Sequence, residues 1–212
     1  MTRHKSTPFE VYHGRYEAWF QRHAAAYYSE LLAVRAMLPC HGWGVEIGVG
    51  TGRFAAPLGI KVGLDSSIAM LAYAIERGVC GIQGIAEALP FKDSVFDYAI
   101  VVTTICFVND PPKMLRETYR VLKSGAPLVI GFVDRTSMLG QHYLAHQAES
   151  VFYREARFYS VLEVEKLLAD TGFVDFVWVQ TLSKPLDKIQ EIEPLCDGHG
   201  DGAFVVVKAF RS

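Results

Sequence analysis

At 212 residues, half of them hydrophobic and 21% charged, the chain suffices for one ordinary domain with an elaborated lid and is too apolar for general disorder. Lys and Arg number 21 against 23 Asp and Glu, a net charge of −2 with His neutral, which gives no bulk attraction for nucleic acid or an anionic membrane. Cys40, Cys80, Cys106 and Cys196 are too few and too scattered for a disulfide scaffold or a metal-ligand spacing and read as reduced thiols of a cytoplasmic protein. The N-terminus lacks the apolar core of a signal peptide, and the longest apolar run, 98–108, is far too short to cross a bilayer.

Along the chain, strand and helix signals alternate. Trp19, Phe20, Ala24, Tyr27, Leu31 and Leu32 recur at helical spacing until Pro39, so one helix is expected over 16–38. A short apolar strand at 42–48 leads into a glycine-rich turn through Gly52 and a short helix at 54–58. The second strand, 60–64, is closed by Asp65-Ser66-Ser67, which is helix N-cap chemistry; Ile68, Leu71, Ala72 and Ile75 then mark one helical face, with Gly78 placed to end it. Strands follow at 79–82 and 98–103. Asp110 before Pro111 starts a helix that Gly125 ends. A fifth strand spans 126–133, and Ser160 with Glu163 forms a capping-box pair opening a helix that stops at Gly172. Two strand-like runs, 174–182 and 204–210, come last, joined by the polar loop 191–201.

Near-continuous Val, Ile and Leu in strands separated by helices predicts an α/β fold with a doubly wound, mostly parallel, seven-stranded sheet buried on both faces. No helix separates the final two runs, so an antiparallel pair is expected at one end, the last strand antiparallel. The whole chain, 1–212, reads as one domain. It carries an N-terminal helical lid over 1–40, and residues 134–160, longer than a connection needs, make an inserted cap after the fifth strand.

The string Glu46-Ile47-Gly48-Val49-Gly50-Thr51-Gly52 leaves the first strand and enters the first helix of the sheet. Glycine is required where backbone turns sharply or approaches a ligand without a Cβ, and open α/β sheets bind ligands at this edge. The dinucleotide fingerprint needs a third glycine at the sixth position from Gly48, where this chain has Arg53. Asp65, ending the second strand, can accept hydrogen bonds from ribose hydroxyls, a feature an NAD site shares.

Residues 45–52 resemble the first motif of the class I S-adenosylmethionine-dependent methyltransferases, an acidic residue followed by alternate glycines. Gly63-Leu64-Asp65-Ser66-Ser67 resembles the family's ribose-binding strand end, and residues 86–91 with 94–97 resemble its adenine loop and the approach to the fourth strand. Residues 116–125 resemble the helix and turn before its fifth strand. The likeness covers 43–133 in the right order. It implies S-adenosylmethionine as cofactor, with Gly48, Val49 and Gly50 beneath the methionine half and Glu46 organising its ammonium. Asp65 and Ser66 would lie at the ribose, the Ala86 amide at the adenine edge with Glu87 adjacent, and Thr103 under the ammonium and sulfonium. Tyr16 and Trp19, a Tyr-x-x-Trp in the N-terminal helix, resemble lids of the family; Tyr12, Phe20, His23 and Tyr27 belong to the same aromatic stripe.

The chain departs from the family twice. Ile85 stands where an acidic residue often meets the adenine amino group, a loss of about 1.5–3 kcal/mol unless Glu87 or a backbone carbonyl substitutes. Asn109-Asp110-Pro111-Pro112 superficially resembles the tetrad of nucleic-acid amino methyltransferases, but it lacks the aromatic residue and falls at a helix start.

Methyl transfer from a sulfonium is an in-line displacement driven by alignment, with a base needed only where the acceptor must lose a proton; no catalytic residue stands out. His142 and His146 share a helical face without an evident third ligand, so no metal is expected. Arg154, Arg157, Phe158 and Tyr159 are candidates for the acceptor pocket, and 191–201 reads as a solvated hairpin loop. The expected function is methyl transfer to a small-molecule acceptor by a monomer or homodimer that engages neither nucleic acid nor membrane. A catalytically silent S-adenosylmethionine-binding regulator is the alternative, with an NAD-dependent oxidoreductase third.

Overall fold

The computed structural model describes residues 8–212, so the first seven residues of the expected lid lie outside the described residues. Five strands form the parallel part of the sheet: β1 (Gly44–Ile47), β2 (Val62–Asp65), β3 (Cys80–Gln83), β4 (Tyr98–Val102) and β5 (Pro127–Val133). Antiparallel strands complete it: β6 (Phe173–Thr181), β7 (Cys196–Asp197) and β8 (Phe204–Arg211), in the order β3-β2-β1-β4-β5-β8-β6-β7.

The sheet therefore has eight strands rather than the expected seven. The addition, β7, is two exposed residues on the edge of β6, too short and too polar to leave an apolar pattern. The two long C-terminal runs do pair, but β8 lies between β5 and β6. Its alternation explains this interior place: Phe204 and Val206 pack on one face while Val205, Val207 and Ala209 pack on the other.

Both faces are covered, as a buried parallel sheet requires. Ile100, Val102 and Val129 point toward the N-terminal helices; Val45, Ile47, Ala99 and Val101 point toward α6 (Pro111–Val121) and α8 (Val161–Asp170). Local capping sets the helix starts. The Asp110 side chain accepts from the Lys113 amide at 3.0 Å ahead of Pro111, and Ser160 and Glu163 form the capping box of α8.

In place of one helix over 16–38 there are α1 (Pro8–Val11), α2 (His13–Arg22) and α3 (Ala24–Met37), with the break at His23. No Gly or Pro marks that break. Phe20 and Tyr27 stay in edge-to-face contact across it, ring centres 5.1 Å apart, so the apolar rhythm runs on and hides the change of direction. Beyond β5, the segment expected as a cap contains α7 (Met138–Ala145), its first turn capped by Ser137.

The segment 191–201 is not simply a solvated loop. Glu193 is buried, accepts from the Ser183 amide at 2.6 Å and pairs with Lys184, while its own amide donates to Ser29 of α3. Among the described residues no helix is long and apolar enough to cross a membrane.

Candidate functional site

The site begins where β1 stops, beside β4, at the point where strand order reverses. Gly48 and Gly50 have φ of +76° and +52°, a region costly for residues with a Cβ. A Cβ on Gly48 would collide with Thr104, whose hydroxyl donates to the Gly48 carbonyl at 3.2 Å. The amides of Gly48 and Val49 both donate to the Leu64 carbonyl, at 2.7 and 2.9 Å. The Val49 side chain packs into the core against Gly63, so this residue approaches a ligand only through its backbone.

Asp65 ties the turn to the next helix. Its two carboxylate oxygens accept from the Gly50 and Ser67 amides, each at 2.9 Å, and Ser67 caps α5 (Ile68–Glu76). Burial pushes the Asp65 carboxyl up, against the pull of these amides. Ser66 is exposed beside it. Glu46, in the middle of β1, is 1% exposed, and its Oε2 is buried with no hydrogen-bond partner. Burial pushes this carboxyl well up; a bond from the Ala55 amide opposes the shift and the charge of Asp65 adds to it. A buried carboxylate oxygen without a donor is costly unless a cation meets it.

The N-terminal helices close over this turn. The Tyr16 hydroxyl lies 3.6 Å from the position a Cβ on Gly50 would take. Burial raises its phenol, and the charges of Glu46, Asp65, Glu30 and Glu17 act the same way. Glu17 holds α2 down: Arg53 Nη2 and Arg77 Nη2 each donate to it at 2.6 Å, while Arg77 Nη1 reaches the Thr51 carbonyl at 2.6 Å. Glu10 of α1 accepts from the Ser67 hydroxyl at 2.5 Å. Trp19 makes its ring contacts with Phe20 and His23 and, like Tyr16, packs against the core cluster that holds Val49.

The loop carrying Ala86 is bolted to α6. Arg120 donates to the carbonyls of Leu89 and Phe91, at 3.0 and 2.8 Å, and Glu117 accepts from the Leu89 amide at 2.8 Å. Glu87 is committed elsewhere, its Oε1 accepting from the amides of Asn109 and Asp110 at 3.0 and 3.3 Å. Ile85 is 55% exposed, so no buried apolar contact explains its place.

At the end of β4, Thr103 adopts φ +48°, strain of the kind that collects at functional sites. It lines a cavity of about 20 Å³ with Ile105, Cys106, Tyr153, Phe158 and Tyr159 among its neighbours. That volume holds about one water. Burial pushes the Cys106 thiol up to about 12. Above the cavity the aromatic rings of three segments meet. Tyr153 stacks on Phe107 and on Tyr143, ring centres 5.8 and 5.0 Å apart. Phe9 contacts Phe107, Phe152 and Tyr16 at 4.8, 5.2 and 5.8 Å.

Of the expected acceptor residues, Phe158 and Tyr159 line the cavity, whereas Arg154 and Arg157 are exposed, Arg157 lying over the Tyr159 ring. His142 and His146 do share a helical face, rings 4.4 Å apart; among the described residues no group of three metal-ligating side chains forms.

Three carboxylates near the site escaped the sequence reading: Glu10, Glu17 and Glu30. A signal existed for two. Glu30 sits between Tyr27 and Val34 on the buried stripe of α3, and Glu17 lies one turn before the buried Phe20. An acidic residue on an apolar helical stripe needs a partner or a task.

Strand order, glycine turn and a carboxylate at the end of β2 together define a Rossmann-like cofactor-binding protein. A family model described as a methyltransferase domain matches residues 45–130. A SAM-dependent methyltransferase of Thermotoga maritima, described as a possible histamine N-methyltransferase, is 50% identical, with a TM-score of 0.95 over 97% of this chain and 98% of its own. An uncharacterised protein of Methanocaldococcus jannaschii is 41% identical over 95% of this chain and 97% of its length. The Haemonchus contortus phosphoethanolamine N-methyltransferase 2, solved with S-adenosyl-L-methionine, shares the fold at 18% identity and a TM-score of 0.63, covering 86% of this chain and 52% of that one. The chain belongs to the S-adenosylmethionine-dependent methyltransferases, and S-adenosylmethionine is its cofactor.

Proposed function

We propose that this protein transfers a methyl group from S-adenosylmethionine to a small-molecule acceptor. One observation carries the reading: the partnerless, buried Oε2 of Glu46 beside a side-chain-free turn, which suits the ammonium of the cofactor's methionine half. Bound there, S-adenosylmethionine supplies an activated methyl group on a positively charged sulfur. Gly48 and Gly50 let the backbone come close, Val49 holds the turn against the core, and Asp65, with Ser66 alongside, accepts from the ribose hydroxyls. The backbone of Ala86, with Glu87 next to it, faces the adenine, and Thr103 lies beneath the reacting end. Tyr16 and the other lid aromatics exclude water and present ring faces to cationic groups. Trp19 supports them from behind.

The cavity beside Thr103 is too small for any acceptor, so the cap and lid part to admit one, as closing elements do in many enzymes. The 50% identical Thermotoga maritima protein carries the description of a possible histamine N-methyltransferase, which supports a nitrogen acceptor, while shorter matches include quinone C-methyltransferases.

Saturating S-adenosylhomocysteine is expected to raise the unfolding midpoint by about 5–10 °C, with NAD giving no shift. The reverse pattern removes the methyltransferase reading. A silent cofactor-binding regulator is favoured only by the exposed Ile85 and the engaged Glu87; turnover to S-adenosylhomocysteine on an acceptor panel separates the two. Restoring the acid by Ile85→Asp is expected to tighten S-adenosylhomocysteine binding by about fivefold, since a half-exposed charged hydrogen bond is worth less than a buried one. Calorimetry showing no gain would mean that this loop does not face the adenine.

A further inference from the structure

Phe9 and Glu10 are neighbours on α1, and their side chains reach the two halves of the site. No residue of α1 is buried, so the contacts of its side chains, rather than a core, set its place. The Glu10 carboxylate accepts from the Ser67 hydroxyl at 2.5 Å and from the Ala69 amide at 3.3 Å. The Ser67 amide in turn donates to Asp65 at 2.9 Å, so Glu10 is one residue removed from the carboxylate placed at the ribose. The ties continue along α5: His13 Nδ1 lies 3.2 Å from the Tyr73 hydroxyl, and Glu17 accepts from Arg77 Nη2 at 2.6 Å. Ala69, Tyr73 and Arg77 stand four apart, on one helical face, and α1 and α2 lie along it.

Phe9 faces the other half. Its ring stands edge-on to that of Phe107, centres 4.8 Å apart, and 5.2 Å from that of Phe152. Phe107 ends the helical turn Ile105–Phe107, whose Ile105 and Cys106 line the cavity beside Thr103, and it stacks on Tyr153, which lines the cavity too. The Arg157 amide ties the segment 152–158 back to that turn, donating to the Cys106 carbonyl at 2.8 Å. Successive helical residues project about 100° apart, so one short turn sends one side chain to the cofactor half and the next to the acceptor half. Lifting α1 off Ser67 therefore also withdraws the Phe9 ring from Phe107 and Phe152.

Resting on the methyltransferase reading above, we infer that Glu10 and Phe9 are positioning residues that make the acceptor half of the site depend on the cofactor half. The cofactor's ribose on Asp65 fixes the start of α5, Ser67 and Ala69 then hold Glu10, and α1 brings Phe9 against Phe107 and the segment 152–158. S-adenosylmethionine binds first and completes the wall against which the acceptor is held. A link of this kind works in both directions, so an acceptor packed under Phe107 and Tyr153 tightens the cofactor by the same factor. Lifting of α1 after transfer opens both halves at once, and neither product is trapped behind the other.

Amide hydrogen exchange on the full chain, with and without saturating S-adenosylhomocysteine, tests the link. Three amides report on it: Ala69 for the tie to Glu10, Tyr12, which donates to the Pro8 carbonyl at 2.8 Å, for α1, and Arg157 for the acceptor side. In the parent protein the ligand is expected to slow all three by about fivefold or more. Phe9→Ala is expected to keep the slowing at Ala69 and to cut that at Arg157 below about twofold. Glu10→Ala is expected to lose the slowing at Tyr12 and Arg157 together and to weaken S-adenosylhomocysteine by about threefold or more. Neither residue belongs to the two core clusters, and unchanged protection of the β4 and β5 amides shows the fold intact; Phe9→Leu, expected midway between parent and Phe9→Ala at Arg157, gives the same reading from a gentler change. A purely structural role would speed exchange equally with and without the ligand, leaving the slowing at its parental factor. That result at Arg157 in either alanine variant, or slowing confined to Ala69 in the parent, overturns the inference. Failure of the parent protein to bind S-adenosylhomocysteine in calorimetry overturns the methyltransferase reading instead.

Discussion

Replacing Asp65 with alanine is expected to weaken S-adenosylhomocysteine binding by about tenfold or more and to lower stability by about 1–3 kcal/mol. Two losses combine. The ribose hydroxyls lose their acceptor, and the amides of Gly50 and Ser67, each held at 2.9 Å by one carboxylate oxygen, are left without a partner. The second loss loosens the turn at the residue whose φ is +52°. Asp65→Asn keeps one acceptor oxygen, so it recovers much of the stability and little of the affinity. Calorimetry and thermal unfolding on the two variants separate these contributions. An alanine variant that binds with parental affinity would remove the ribose assignment.

Glu17→Gln is expected to cost about 1–3 kcal/mol near neutral pH, because Arg53 and Arg77 are partly buried and lose their shared counter-charge. For Glu17, burial works to raise the carboxyl, but the hydrogen bonds from Arg53 and Arg77 outweigh it and hold it below the usual range. A carboxyl lowered by folding stabilises fully above its unfolded value of about 4.3 and loses that contribution as pH falls through the lower, folded value. The unfolding midpoints of parent and variant should therefore lie apart at pH 7 and converge as the solution is acidified below about pH 4. A gap of constant size over that range would show that the ion pairs do not fasten α2. The variant should also admit S-adenosylhomocysteine faster, since Tyr16 rides on the same helix one residue away.

The parts of this fold legible from sequence were those written in local chemistry. Unbroken Val, Ile and Leu marked β4 and β5, while Asp110 before Pro111 and Ser160 with Glu163 marked helix starts that the backbone amides then confirm. The glycine turn could be read because positive φ leaves few residue choices. The unread parts depend on distant segments. Nothing near His23 announces that the expected N-terminal helix divides, because the aromatic stripe bridges the break. Arg53 could be read as a failed dinucleotide glycine, yet its task as a partner of Glu17 spans 36 residues. Glu87, which might have replaced the missing adenine acid, turned out to hold the amides ahead of α6.

The place of β8 also bears on how the chain is made. Its residues are synthesised after those of β6, yet it is the strand that joins β6 to β5 along seven paired positions, from Pro127 with Phe210 to Val133 with Phe204. During translation the outer rim of β5 and the β8-facing rim of β6 stay bare until residues 204–211 are made, a delay of about 4–16 s for β5 and about 2–6 s for β6 at usual elongation rates. Nascent chains of this kind expose Val- and Phe-rich ribbons in that interval, and shielding by chaperones matters most for them just before the final strand drops into its slot.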